Sequence, residues 1–250
     1  MSVAPSTNEI EYPESDGKPV GETDVHIDWI FRIRDILRNR YRGQRVYVGS
    51  DMVVYYEEGN PRRFVVPDEF IVLDCEQYDR RTFKIWEEGR TPNVIIEVTS
   101  KRTKTKDQQT KPEIYRQLGI GEYFLYDPTA EYLNPALRGF RLQNGGYVPI
   151  EPSVDSWLAC EQLGIELRLD ARQLVMRDAA TKQVLLTRAD AEQAAREAAE
   201  AKQDAEQLAR QAALATSRTE QAARQAAEAK VAELQAEVQR LRKELENRKT

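Results

Sequence analysis

From Thr187 to Thr250 the chain contains no Gly, Pro, Trp, Tyr or Phe, and Ala, Glu, Gln and Arg dominate. Nothing in that stretch breaks a helix, and its residue types are good helix formers. It is also too thin in large apolar side chains to close a globular core. "EQAAREAAEAK" at 192–202 returns as "EQAARQAAEAK" at 220–230, an offset of 28 residues, or four heptads. Near the end, Val231, Leu234, Val238, Leu241 and Leu245 alternate spacings of three and four, the seam of a coiled coil. Upstream the seam is mostly alanine, through Ala194, Ala198, Ala201, Ala205, Leu208, Ala212 and Ala215. The two registers differ in phase, so the helix is expected to change its partner face or kink between them. About sixty helical residues span roughly 90 Å. The expected role is association into a homo-oligomer, a dimer, through residues 187–250, or packing along the front of the chain.

Three segments follow: a flexible lead-in over 1–22, a folded domain over 23–186, and the helix over 187–250. The tail is charge-neutral, so the front carries the whole net charge of −5, which argues against a generic nucleic-acid coat. One histidine, His26, and two cysteines, Cys75 and Cys160, leave no ligand set for a Cys/His zinc site and no disulfide framework. The polar, acidic start lacks the apolar segment of a signal peptide, and no run approaches a membrane span. A reducing, cytoplasmic setting is expected.

"ETDVHIDWIFRIRDILRNRYRG" places Ile30, Ile33, Leu37 and Tyr41 on one stripe, with Thr23 or Asp24 to cap the helix and Gly43 to end it. Strands are expected at 45–56, 63–74, "NVIIEVTS" and 122–128; the last three have continuous apolar runs, as in strands covered on both faces. A helix starts near Thr110, with Thr110 and Glu113 as a capping box. "GFRLQNGGYVPI" reads as a hairpin turning at Asn144–Gly145–Gly146, and "GIELRLD" with "KQVLLT" as a last small β element. The fold class is α/β, with a mixed sheet flanked by helices.

Within "PNVIIEVTS" one carboxylate, Glu97, interrupts an apolar strand. An unpaired glutamate there costs several kcal/mol (roughly), so a partner or a metal ion must compensate it. Arg63 or Lys111 could be that partner. Asp68 follows Pro67 at the start of another apolar strand, 29 residues upstream of Glu97. If the strands are neighbours the two carboxylates converge. Hard oxygen ligands suit Mg²⁺, which takes one or two carboxylates and keeps several waters; the Val98 carbonyl is a further ligand. "SKRTKTKDQQTK" then sets Lys101, Arg102, Lys104, Lys106 and Lys111 against Asp107 alone, cations suited to holding phosphates.

The Pro67–Asp68 pair, Glu97 in its strand, Asp107, Lys111 and Tyr115 spaced as D-x-x-x-K-x-x-x-Y, and "EYFLYDP" together resemble the Uma-type endonuclease-like family. That family belongs to the PD-(D/E)XK nucleases, with a restriction-endonuclease-like fold, and the resemblance covers about residues 20–187. It implies a Mg²⁺- or Mn²⁺-dependent endonuclease acting on DNA, with metal held by Asp68 and Glu97 and Lys111 as the catalytic lysine. Asp107 and Tyr115 match the helix pattern, and Asp51 and His26 match more weakly. The simplest family pattern has lysine two residues beyond the glutamate, where this chain has Thr99. Lys101 or Lys104 could then serve in place of Lys111. The alternative is a non-catalytic protein of nuclease-like fold that works through its coiled coil.

Overall fold

The structure, a computed structural model, describes residues 10–15 and 23–247. The rest of the expected flexible lead-in, 1–9 and 16–22, and the Leu245 side chain of the expected seam lie outside the described residues. The chain divides into two units between Asp190 and Ala191.

In the first unit, α1 (Asp24–Arg40) begins with Thr23 as N-cap, whose hydroxyl accepts from the His26 amide at 3.4 Å. Its buried stripe of Ile30, Ile33 and Leu37 is the expected one. Next come β1 (Val46–Ser50), β2 (Val54–Tyr55), β3 (Phe64–Val65), β4 (Glu69–Leu73), β5 (Phe83–Lys84), the single turn α2 (Ile85–Glu88) and β6 (Val94–Val98). A π-helical turn (Lys106–Thr110) runs into α3 (Lys111–Gln117). Then follow β7 (Glu122–Tyr126), β8 (Leu137–Gln143), β9 (Gly146–Pro149), β10 (Leu158–Cys160), β11 (Ile165–Asp170) and β12 (Gln173–Asp178).

The main sheet has the order β1-β4-β6-β7-β8-β9 and is mixed, with β6 and β7 its one parallel pair. A parallel pair needs a crossover, and here the crossover holds the π turn and α3. Side chains of a strand alternate between faces. Ile71, Ile96 and Phe124 join the core under α1, while Phe70, Ile95, Tyr123 and Leu125 join a second core that contains Tyr115 of α3. By the same alternation Glu97 shares the face of Ile95. Strands β2, β3 and β5 form one small sheet, and β10–β12 another.

Four local expectations change. The run at 45–56 is two strands in different sheets, because Asp51 turns the chain with φ of 44°. The run at 63–74 also splits, into β3 and β4, around Pro67, which has no amide to give a ladder. Thr110 makes no side-chain cap and is itself helical, since the π turn already supplies the Lys111 amide with the Lys106 carbonyl. Pro112 would crowd the carbonyl four residues back in a continuing α-helix, and a wider turn relieves this. "KQVLLT" contributes one isolated bridge, Arg177 to Val184, and the third strand of its sheet is β12.

The last helix, α4 (Arg188–Asn247), carries the second unit. Every described side chain from Glu192 onward is exposed, including Leu208, Val231, Leu234, Val238 and Leu241.

Candidate active site

Strands β4 and β6 pair as far as Glu69 opposite Ile96, and beyond that point they part. Side chains take over the ladder there. The Val98 amide donates to Asp68 Oδ2 at 2.7 Å, and the Asp68 amide donates to Glu97 Oε2 at 3.2 Å. This reciprocal arrangement holds two carboxylates against each other at the splayed strand ends. Asp68 is 7% exposed and Glu97 is fully buried.

The crossover brings the cation. Lys111, at the start of α3, donates to Glu97 Oε2 at 2.7 Å and pairs with Asp107 Oδ1 at 3.1 Å. One turn on, the Tyr115 hydroxyl donates to Glu97 Oε1. The buried glutamate is therefore compensated by Lys111, Tyr115 and a backbone amide, while Arg63 pairs instead with Glu57 at the surface. Three carboxylates surround one ammonium, and the electrostatics follow from that excess. Burial pushes Asp68 well above the ordinary carboxylate range, and the charge on Glu97 adds to it. Burial raises Asp107 to about 6, with Lys111 pulling it back and Glu97 pushing it on. Burial disfavours the charged form of Lys111, but Glu97, Asp68 and Asp107 outweigh that and hold its proton more tightly than usual. Tyr115 is likewise pushed well up by burial and by Glu97, so it stays a phenol.

A cleft of about 600 Å³ opens onto this group, lined by Asp68, Lys111 and Asp51 together with Arg102, Lys106 and Arg34. His26 lines it too, with Nε2 at 3.9 Å from Asp68 Oδ1. Asp107, Tyr115 and Glu97 lie buried behind it. Of the other basic candidates, Lys104 sits over the Tyr132 ring at 5.5 Å, and Lys101 is exposed in the turn after Ser100; neither lines the cleft. Thr99, two places beyond Glu97, is buried and its hydroxyl has no hydrogen-bond partner.

Sequence reasoning passed over Arg34 and Phe31, which line the cleft from α1, and Glu69. Arg34 and Phe31 fall off the buried stripe of the helix at a spacing of three, a signal that was readable. Glu69 is fully buried, accepts from the Ser50 hydroxyl at 2.6 Å, and is pushed well above the ordinary range by burial.

The donor set suits a hard divalent cation: Asp68 and Glu97 offer oxygen ligands held against each other, and behind them Asp107 Oδ2 is buried with no hydrogen-bond partner. His26 Nε2 lies 3.9 Å from Asp68 Oδ1, beyond hydrogen-bond reach. Among the described residues no three His, Cys, Asp or Glu side chains form a ready cage. A site here would rest on Asp68 and Glu97 with solvent, as Mg²⁺ tolerates.

A family model described as "Uma2: Putative restriction endonuclease" matches residues 5–172. No curated protein matches the chain. Among solved structures, one titled as a putative nuclease belonging to DUF820 from Anabaena variabilis ATCC 29413 is 14% identical, with a TM-score of 0.43. That match covers 60% of this chain and 81% of the other.

Proposed function

The chain belongs to the Uma2 restriction-endonuclease family, and from that premise we propose that it is a divalent-metal-dependent endonuclease hydrolysing phosphodiester bonds in DNA. The observation that carries the reading is the meeting of Asp68, Glu97 and Lys111 under a cleft lined by Arg34, Arg102 and Lys106. Asp68 and Glu97, with the Val98 carbonyl, would hold Mg²⁺ or Mn²⁺. When bound, such an ion supplies Lewis acidity to the scissile phosphate and a lowered pKa to water. Lys111 stays protonated and places a fixed positive charge where negative charge develops in the transition state. Asp107 and Tyr115 act by positioning, Asp107 on the Lys111 ammonium and Tyr115 on the Glu97 carboxylate. Arg102 and Lys106 align the phosphates of the strand.

The non-catalytic alternative draws its support from Thr99, where the simplest family pattern has lysine. The 2.7 Å contact from Lys111 to Glu97 weighs against it, since the ammonium reaches the same carboxylate from the following helix. For α4 the reading is self-association as a coiled coil. Among the described residues no helix is long and apolar enough to cross a membrane, and the free thiols of Cys75 and Cys160 suit the cytoplasm.

The test is cleavage of DNA in Mg²⁺ or Mn²⁺ by the full chain and by its Asp68→Ala, Glu97→Ala and Lys111→Ala variants. Both carboxylate variants are expected to lose activity, and Lys111→Ala to drop by on the order of 10²–10³, as for removal of one transition-state donor. Activity that survives both carboxylate changes would sink the assignment. Mg²⁺ is also expected to raise the melting temperature of the wild type and not of Glu97→Ala, because a ligand of the folded state stabilises it.

A further inference from the structure

The cleft has two kinds of wall, and phosphate binding accounts for only one. Arg34, Arg102 and Lys106 suit a phosphate backbone, but the same space is lined by Ile27, Phe31, Phe64 and Val65. Single exposed apolar residues are ordinary on a protein surface. Phe31 is not single: it is 58% exposed, off the buried stripe of α1, and faces the cleft that contains Asp68 and Lys111. A phosphodiester has no use for an aromatic face, whereas a nucleobase stacks on one.

Depth points the same way. Asp68 is 7% exposed and Glu97 is fully buried, so a scissile phosphate has to enter the cleft to meet them. A volume of about 600 Å³ is the size of a small-molecule pocket. A duplex, whose major groove alone is roughly 12 Å wide, does not fit into such a space. A nucleotide drawn out of the stack does, and extraction costs least where the base is already unpaired.

We propose that the cleft takes one unpaired nucleotide of the strand to be cut, its base stacked on Phe31 and its phosphate among Arg34, Arg102 and Lys106. The preferred substrates are then single strands, overhangs and flaps in place of intact duplex. This rests on the nuclease reading and narrows its substrate class.

The experiment measures fluorescence anisotropy of three labelled DNAs of one sequence in Ca²⁺ at fixed salt: a single strand, a blunt duplex, and a duplex with an unpaired overhang. The full-length protein is compared with its Phe31→Ala and Phe31→Trp variants. The wild type is expected to bind single strand and overhang about tenfold or more tighter than blunt duplex, the order of one base–aromatic stack. Phe31→Ala should remove that preference and leave duplex affinity unchanged, and Phe31→Trp should keep it. Because Phe31 lies outside the core, the melting temperatures of the variants should match the wild type. Equal affinity for blunt duplex, or a preference that survives Phe31→Ala, would overturn the proposal and leave the nuclease reading standing. Failure to bind any of the three DNAs would overturn both.

Discussion

Arg80 is held by a fork of hydrogen bonds to Glu88, Nε to Oε1 at 2.6 Å and Nη2 to Oε2 at 2.9 Å. Its guanidinium lies over the rings of Tyr78 at 3.5 Å and Tyr47 at 4.2 Å, and the side chain is 4% exposed. Bidentate, stacked and largely desolvated, this pair is worth more than a surface ion pair. Arg80→Lys keeps the charge and loses both the fork and the stacking plane, so it is expected to lower stability by about 1–3 kcal/mol in urea unfolding. The hydrogen bonds from Arg80 hold Glu88 below its ordinary value of 4.5, with burial opposing them. A carboxylate whose pKa falls on folding contributes stability that is full above the unfolded value and disappears as pH drops through the folded one. The melting-temperature gap between wild type and Glu88→Gln should therefore be full at neutral pH and close below about pH 4.5. A constant gap from pH 7 to 3.5 would show that Glu88 acts by packing alone. At this scale Glu97 was legible, because the cost of burying a carboxylate demands a compensating group whatever the fold. Its partners were less so: Tyr115 reads as an ordinary core residue until α3 is docked, and Arg63 was as good a candidate on charge as Lys111.

At the scale of elements, strands covered on both faces announce themselves by unbroken apolar runs, and β4, β6 and β7 were readable for that reason. Their ends were not. The break after Ser50 depends on Asp51 adopting a positive φ, which Asp tolerates better than most residues but does not advertise. The third strand of the small sheet was visible in the alternation of Leu174 and Met176, both buried, and was passed over for the apolar run behind it. The π turn before α3 was hidden because Thr110 and Glu113 imitate a capping box. One glycine shows how tightly β1 is fitted to its neighbour: a Cβ at Gly49 would run into the ring of Phe70, itself fully buried in the second core. Overpacking of this kind costs typically 1–3 kcal/mol, roughly. Gly49→Ala is expected to lose about that much in denaturant unfolding. Phe70→Leu, added to it, should recover part of the loss if the clash is with the ring.

For the molecule as a whole, the division between front unit and tail was legible because Ala, Glu, Gln and Arg take over from the apolar run at Val184–Leu186 after Thr187, and the contacts divide close by, after Asp190. What the tail meets is a matter of energetics. Val231, Leu234, Val238 and Leu241 stand exposed on α4 at spacings of three and four. Burying each gains about 1.5–3 kcal/mol. Two copies together then gain an amount of the same order as the cost of association, about 4–15 kcal/mol. The balance is close, so the alanine-lined upstream stretch matters: small side chains let helix backbones approach and add dispersion contacts without adding much apolar area. The expected outcome is a dimer that dissociates on dilution, which sedimentation velocity across a concentration series would register. Leu234→Ser combined with Leu241→Ser in the full chain should shift that equilibrium to monomer, since each change acts twice in a symmetric pair. The far-UV helix signal should fall with it, because a long exposed helix depends on its partner for much of its stability. Unchanged mass at every concentration for both proteins would mean that the seam closes on something other than a second copy.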